Sequence, residues 1–468
     1  MKLYNTATKQ LEEVKPIQPP KVSVYSCGPT VYDYPHIGNW FTFIRYDVLV
    51  RALKASGFQP DWVMNITDVG HLTSDADEGE DKLEKGAKRE GKSAWDIAKF
   101  YSDYFVQGLD RLNILRPSHL PKATDHIREQ IDLIKTLEQK GYTYQISDGV
   151  YYDTSKFPDY GKMAHLDLAH LKEGARIAAN PEKKNPVDFA LWKFSPSGAK
   201  RDMEWDSPWG KGFPGWHLEC SAMSIKYLGE TLDIHAGGID HIPVHHTNEI
   251  AQSEAATGKP FANIWVHMNH VTVDAEKIAK STGNGITLED IEAKGFSLEA
   301  LRLLVLQSHY RTQAEFSWET LEAAQNRLKD LYAWADLRHQ PNIDTMPSEL
   351  DDLFGATRQS MQQDMANDLN APAALISLGK LVSFMQQIPI PGVEGKYTDE
   401  ILKFIDDLLG LKLDGRPDIS DEQKQLLQER QKARLSEDWS KSDALRATLE
   451  TQKLGIRDTS YGQQWYRL

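Results

Sequence analysis

Apolar and polar residues alternate from Lys21 to Cys27, with valines at alternate positions, so this segment predicts a β-strand. Gly28 and Pro29 then turn the chain. From Ile37 the period changes. Ile37, Phe41, Ile44 and Val48 recur at helical spacing, and Gly57 ends the helix. Asp61–Thr67 reads as a second strand. A strand, a helix and a strand in about 45 residues predict a βαβ unit, hence a parallel sheet with a right-handed crossover. Ligands bind at the carboxyl ends of such strands, where Cys27 and Thr67 fall.

The pattern then changes. Tyr144–Tyr152 reads as a hairpin around Asp148-Gly149. A polar stretch bounded by Asn180 and Pro186 follows, and residues 121–205 read as an insertion into the sheet domain. Strand signals resume at Thr231–His235 and Asn263–His267. After about residue 285 nearly everything reads as helix, divided by loops near Pro341, Pro347 and Pro389–Pro391. The last unit, from about 418 to 468, reads as charged and helical and ends in an aromatic run up to Tyr466.

Composition narrows the class. At 468 residues the chain needs more than one domain, and 40% hydrophobic with 26% charged residues is a water-soluble balance. No apolar run reaches the roughly 18 residues of a membrane helix, and the first residues lack a signal-peptide core. Two cysteines exclude a disulfide scaffold and fit a reducing cytoplasm. The net charge of −14 neither supports nor excludes an RNA partner, because a basic groove can sit on an acidic protein.

Two segments carry candidate nucleotide chemistry. Tyr34-Pro35-His36-Ile37-Gly38-Asn39 opens the first helix. A helix N-terminus offers unpaired N–H groups and partial positive charge to an anion. Gly38 admits close approach of a ligand, and His36 and Asn39 add donors. Alone, the segment also fits an ordinary helix start with a surface histidine. Far downstream, Lys277-Ile278-Ala279-Lys280-Ser281 precedes Gly283 and Asn284. Lys277 and Lys280 could neutralise a triphosphate, or simply be solvated. Both segments follow predicted strands of one sheet, which favours the joint nucleotide reading.

A third cluster suggests a metal. His245 and Glu249 are four apart and share a helix face, and Cys27 and Cys220 are the chain's two cysteines. Two thiolates, an imidazole and a carboxylate form a plausible zinc set. Without a close Cys-x-x-Cys pair, the spacing alone favours the plainer reading of buried free thiols and a helix-capping His245.

With these motifs the chain resembles class I aminoacyl-tRNA synthetases, which carry a His-Ile-Gly-His type and a Lys-Met-Ser-Lys-Ser type motif. Within that class, Tyr25–Asp33, Phe213–Met223 and His245–Gln252 resemble the cysteinyl-tRNA synthetases, and the match runs in order along nearly the whole chain. The departures are Asn39, Ile278 and Ala279 in the nucleotide motifs, Phe213 where the family tends to have Arg, and Ala236 and Ile239.

The resemblance implies an α/β fold. It has a split Rossmann-like parallel-sheet catalytic domain (1–120 and 206–284) with an inserted connective domain (121–205). A stem-contact region opens the helical part (285–345), followed by a helical bundle (346–415) and a small anticodon-binding unit (416–468). It implies one zinc on Cys27, Cys220, His245 and Glu249, and an amino-acid pocket of Gly28, Thr67, Trp216 and His235. ATP, with Mg²⁺, falls to His36, Gly38, Asn39, Gly237, Asp240 and Lys280, and catalysis to His36, Asn39, Lys277 and Lys280. The implied partners are tRNA(Cys), ATP and L-cysteine, for a cytoplasmic monomer. Trp465 and Tyr466 are candidates to stack on unpaired bases, although Trp465 could equally pack against the preceding helix.

The metal has a physical rationale. Cysteine and serine differ only by sulfur for oxygen, which an apolar pocket separates poorly. A thiol deprotonates onto zinc near neutral pH and an alcohol does not. Two other readings share the core motifs: a tRNA-independent ligase joining cysteine to an amino-sugar, and a non-catalytic RNA- or zinc-binding paralogue. The terminal unit speaks against the first, and His36, Lys277 and Lys280 against the second.

Overall fold

The computed structural model describes residues 1–70, 81–166, 180–195, 201–273, 276–277, 285–340, 348–387, 395–459 and 462–468. The chain forms two units, Met1–Ile291 with Tyr310–Glu315, and Glu292–His309 with Phe316–Leu468.

The first unit is built on a parallel sheet of β1 (Lys21–Ser26), β2 (Gln59–Met64), β3 (Leu232–Gly238) and β4 (Ala262–Met268), in the order β4-β3-β1-β2. Helix α1 (Ile37–Ala55) connects β1 to β2. Helices α2 (Trp216–Leu228) and α3 (Thr247–Thr257) flank β3 in sequence. From β1 the chain steps outward to β2, then returns to the other side of β1 as β3. The sheet therefore reverses direction between β1 and β3, which is where an open parallel sheet leaves a crevice at its carboxyl edge.

Both strands at that crevice are buried, yet β3 carries Asp233. The carboxylate accepts from Ile17 N–H (2.7 Å), Ser23 N–H (2.8 Å) and the Ser23 hydroxyl (3.0 Å), so its burial is satisfied. Strand β2 stops at Met64, three residues before the predicted end, because the Asn65 side chain accepts from Gly28 N–H (2.8 Å). Parallel pairing resumes as a bridge between Thr30 and Thr67. An ideal Cβ on Gly28 would lie 1.6 Å from the Asn65 carbonyl oxygen, so this glycine exists for backbone approach. Gly28→Ala is expected to cost roughly 3 kcal/mol, read as a lower urea midpoint.

Four antiparallel strands form a second sheet, in the order Thr143–Ile146, Gly149–Tyr152, Ala190–Phe194 and Gly212–Pro214. The predicted hairpin at Asp148-Gly149 is its first pair. Val150, Tyr152, Leu191 and Trp192 pack on Ile134 and Leu137, while buried Asp188 ties Tyr144, Thr154 and Asn185 together.

The second unit is mainly helical, including Leu298–Leu306, Trp318–Ala335, Asp421–Leu435 and Trp439–Thr451. The helical reading fails at its end. Leu454–Thr459 and Gly462–Arg467 form an antiparallel hairpin pairing Ile456 with Trp465. Leu454, Ile456 and Trp465 enter one core with Leu427 and Leu449. Leu454 and Ile456 already stand two apart, a strand period obscured by the charges around them.

Trp465 is 3% exposed, and its backbone N–H and C=O both bond the Gln340 carboxamide. The packing alternative therefore holds for Trp465. Among the described residues Trp439 and Tyr466 are the exposed large aromatics of this segment.

Candidate metal and nucleotide site

Four elements bring Cys27, Cys220, His245 and Glu249 together: the end of β1, the middle of α2, a wide helical turn, and the first turn of α3. All four are buried, and their ligand atoms lie within 4.8 Å of one another. The segment before α3 is not regular α-helix, although His245 and Glu249 stand at helical spacing. It is a 3₁₀ turn at Ile239–His241 followed by a π turn at Ile242–His246 containing Pro243, which cannot donate a backbone hydrogen bond. This widening carries His245 to the set, with its Nε2 3.0 Å from Glu249 Oε1.

Around the four stand further imidazoles. His235 Nε2 lies 2.7 Å from Glu249 Oε2, and His217 Nδ1 lies 3.0 Å from His245 Nδ1. His246 spans from Cys27 Sγ (3.3 Å) to His267 (2.7 Å), which continues to the Thr6 hydroxyl (2.8 Å). Two three-residue groupings, Cys27-His241-His246 and His235-His246-Glu249, are also close enough to hold an ion. The four-residue set is favoured because both His246 nitrogens are already engaged, as in an outer shell that orients ligands.

The residues fit a soft divalent metal. Among the described residues both Glu249 oxygens are buried with no hydrogen bond of good geometry, facing only the His235 and His245 nitrogens, so a cation at the set would complete their pairing. Two sulfurs, one nitrogen and one oxygen suit such an ion better than calcium or magnesium. Without it the protons are unevenly shared. Burial pushes the Cys27 thiol up, but the Cys220 thiol donating to it and the nearby imidazoles outweigh this and hold it well below the usual thiol range. The same hydrogen bond, followed by burial, pushes Cys220 well above that range. Burial lowers His245, but Glu249 and Cys27 lift it to about 10. Burial raises Glu249, but His235 and His245 hold it well below the usual carboxylate range. A cation held by this set would take the place of protons on Cys220 and His245.

The set borders a cavity of about 360 Å³ that extends to the N-terminus of α1. Gly28, Thr67, Trp216 and Asp240 line it, with His36 and Asn39 at the helix end. His235 is absent from the wall. It is fully buried and stacked on Trp265 at 4.5 Å, with its Nε2 against Glu249. Gly237 is also absent: a Cβ there would meet His246, and Gly238 takes its place in the wall. Gly38 is not part of the lining either. Lys277 falls on the short strand Glu276–Lys277, while Ile278, Ala279, Lys280, Ser281, Gly283 and Asn284 lie outside the described residues.

Asn39 has a local explanation. His36 N–H donates to Asn39 Oδ1 (3.1 Å), and Asn39 N–H donates to His36 Nδ1 (3.4 Å), forming a capping box. Because Nδ1 accepts, the neutral imidazole carries its proton on Nε2, as a donor. Sequence reasoning passed over Tyr46 and His241 in the lining. Tyr46 was within reach of pattern analysis, since Asn39, Thr42, Phe43 and Tyr46 follow helical spacing on α1.

Two family models match the chain: "tRNA synthetases class I (C) catalytic domain" over residues 13–326, and "Cysteinyl-tRNA ligase anticodon binding domain" over residues 416–465. Among similar curated proteins is cysteine–tRNA ligase 1 of Burkholderia lata, 46% identical over 99% of this chain and 96% of the relative. The cysteine–tRNA ligase of Treponema denticola is 42% identical over the full length of both, and that of Thermus thermophilus 38% identical over 99% and 98%. The chain belongs to the cysteine–tRNA ligase family.

Among solved structures, methionyl-tRNA synthetase of Mycobacterium tuberculosis with methionyl-adenylate is similar in fold. It has a TM-score of 0.59 and 14% identity over 84% of this chain and 92% of that one. Phe213 lies under the Arg201 guanidinium, whose central carbon is 3.6 Å from the ring centroid. Arg201 also pairs with Asp81 and donates to Gly70 C=O (2.9 Å). Ala236 sits within β3 and accepts from Cys27 N–H (3.1 Å), while Ile239 opens the 3₁₀ turn at the surface.

Proposed function

We propose that this chain activates L-cysteine with ATP and transfers it to tRNA(Cys), with zinc on Cys27, Cys220, His245 and Glu249. The observation carrying the reading is the convergence of those four donors at one end of a cavity whose other end is a helix N-terminus. When bound, zinc supplies a position that a thiolate fills and an alcohol does not. His235 and His246 hold Glu249 and Cys27 in place from behind. Trp216, with its ring 4.3 Å from that of His245, is the apolar wall of the amino-acid pocket beside Gly28 and Thr67.

At the other end, the His36 Nε2–H, the Asn39 amide and the N-terminus of α1 receive the phosphates of ATP, accompanied by Mg²⁺. Lys277 and Lys280 add charge as pyrophosphate forms. The cysteine carboxylate attacks the α-phosphate in line, the bond to the β-phosphate breaks, and cysteinyl-adenylate and pyrophosphate result. A terminal ribose hydroxyl of tRNA then attacks the carbonyl carbon and AMP leaves. Asp240, facing the cavity, holds the substrate ammonium or the ATP ribose.

Residues 416–468 read the anticodon in this account, supported by the family match over 416–465. Trp465 is occupied in the core, which among the described residues leaves Tyr466 and Trp439 as exposed aromatics. Among the described residues no helix is long and apolar enough to cross a membrane. A cytoplasmic monomer fits this role.

Charging tests the reading. Zinc-loaded protein, ATP and total tRNA are expected to give acid-precipitable label from radioactive cysteine and none from serine. Cysteine-dependent pyrophosphate release without any tRNA product would instead mark a tRNA-independent ligase.

A further inference from the structure

The Tyr46 hydroxyl is one cavity feature that the chemistry above does not use. Tyr46 lies on α1, two turns after Asn39, and lines the cavity. The residue is 1% exposed, and among the described residues its buried hydroxyl has no hydrogen-bond partner. An orphaned buried hydroxyl is destabilising, whereas phenylalanine fills nearly the same space without it. The hydroxyl is held protonated, first by burial and then by Cys27, Asp240, Cys220 and Glu249. Those groups come from the ends of β1 and β3 and from α2 and α3, and Cys27, Cys220 and Asp240 line the same cavity as Tyr46.

The charge balance there is negative. Two thiolates and a carboxylate exceed a divalent ion by one negative charge, and Asp240 adds another. Such surroundings repel a substrate carboxylate, which belongs at the phosphate end, and attract an ammonium. In cysteine, two carbons separate sulfur from nitrogen. A molecule with its sulfur at the metal set therefore carries its ammonium toward the groups flanking that set.

We propose that the Tyr46 hydroxyl binds the α-ammonium of the amino-acid substrate, accepting one ammonium hydrogen and donating its own to Asp240. The assignment rests on the reading of this cavity as an amino-acid site. It gives the orphaned hydroxyl both its partners at once, on substrate binding.

The test compares Tyr46→Phe with the unmodified full-length, zinc-loaded protein by equilibrium dialysis. The two ligands are L-cysteine and 3-mercaptopropionate, which keeps the thiol and carboxylate but lacks the amine. The expected result is a Kd for L-cysteine raised about tenfold, an unchanged Kd for 3-mercaptopropionate, full zinc content, and a Tm equal to or above that of the parent. Equal weakening of both ligands, no weakening of either, or loss of zinc would each overturn the proposal while leaving the amino-acid site in place. If the unmodified protein binds neither ligand, the amino-acid reading itself falls and takes this assignment with it.

Discussion

Replacing Cys220 by serine is expected to weaken zinc binding about 100-fold and to abolish cysteine activation at ordinary metal concentrations. A structural four-ligand zinc site is worth roughly 10–16 kcal/mol, so one ligand carries about 3 kcal/mol or slightly more, which is a factor of about 100. Serine keeps the volume but does not ionise, and it leaves Cys27 without the thiol that donates to it. Cys220 lies mid-helix in α2 and is 1% exposed, so the backbone has no reason to move. Zinc content after dialysis and the rate of ATP–pyrophosphate exchange should fall together. Exchange that persists in a zinc-free variant would show that the metal set has no part in activation.

His36→Ala addresses the opposite end of the cavity. It is expected to slow adenylate formation by about 10²–10³-fold, the usual effect of removing one donor to developing negative charge. The Kd for cysteine should not change, because the thiol end is untouched. His36 is also the N-cap of α1, so the variant loses about 1 kcal/mol of stability. That is small beside the roughly 3–4 kcal/mol of barrier implied by the rate, so a fall in Tm of only a few degrees with unchanged cysteine binding would separate chemistry from folding. A loss in cysteine affinity matching the loss in rate would place His36 in the amino-acid pocket instead.

The sheet around the site was legible because its signals are local. Alternation over Lys21–Cys27, the helical period from Ile37 and the Gly57 stop correspond to β1, α1 and the turn after it. The four donors could be paired off from sequence only in part. His245 and Glu249 share a helix face, but nothing in the spacing of Cys27 and Cys220 says that α2 passes the end of β1. That meeting is a product of strand order. The π turn was illegible for a similar reason, since Pro243 signals a lost hydrogen bond but not where the widening goes.

Tertiary packing sets the surroundings of other residues in ways that no local pattern carries. His235 has the right chemistry for a pocket, and the fold stacks it on Trp265 with its Nε2 against Glu249, away from the cavity wall. Trp465 has the right chemistry for base stacking, but the hairpin buries it and Gln340 fixes its backbone. Gly237 and Gly238 are identical in sequence terms, and only the position of His246 decides which one faces the cavity.

The most direct measurement is ATP–pyrophosphate exchange with cysteine and with serine, before and after chelation of zinc and after its return. The account predicts exchange with cysteine only, lost on chelation and restored by zinc. Exchange with serine at a comparable rate, or cysteine exchange indifferent to zinc, would contradict selection of the substrate through Cys27, Cys220, His245 and Glu249.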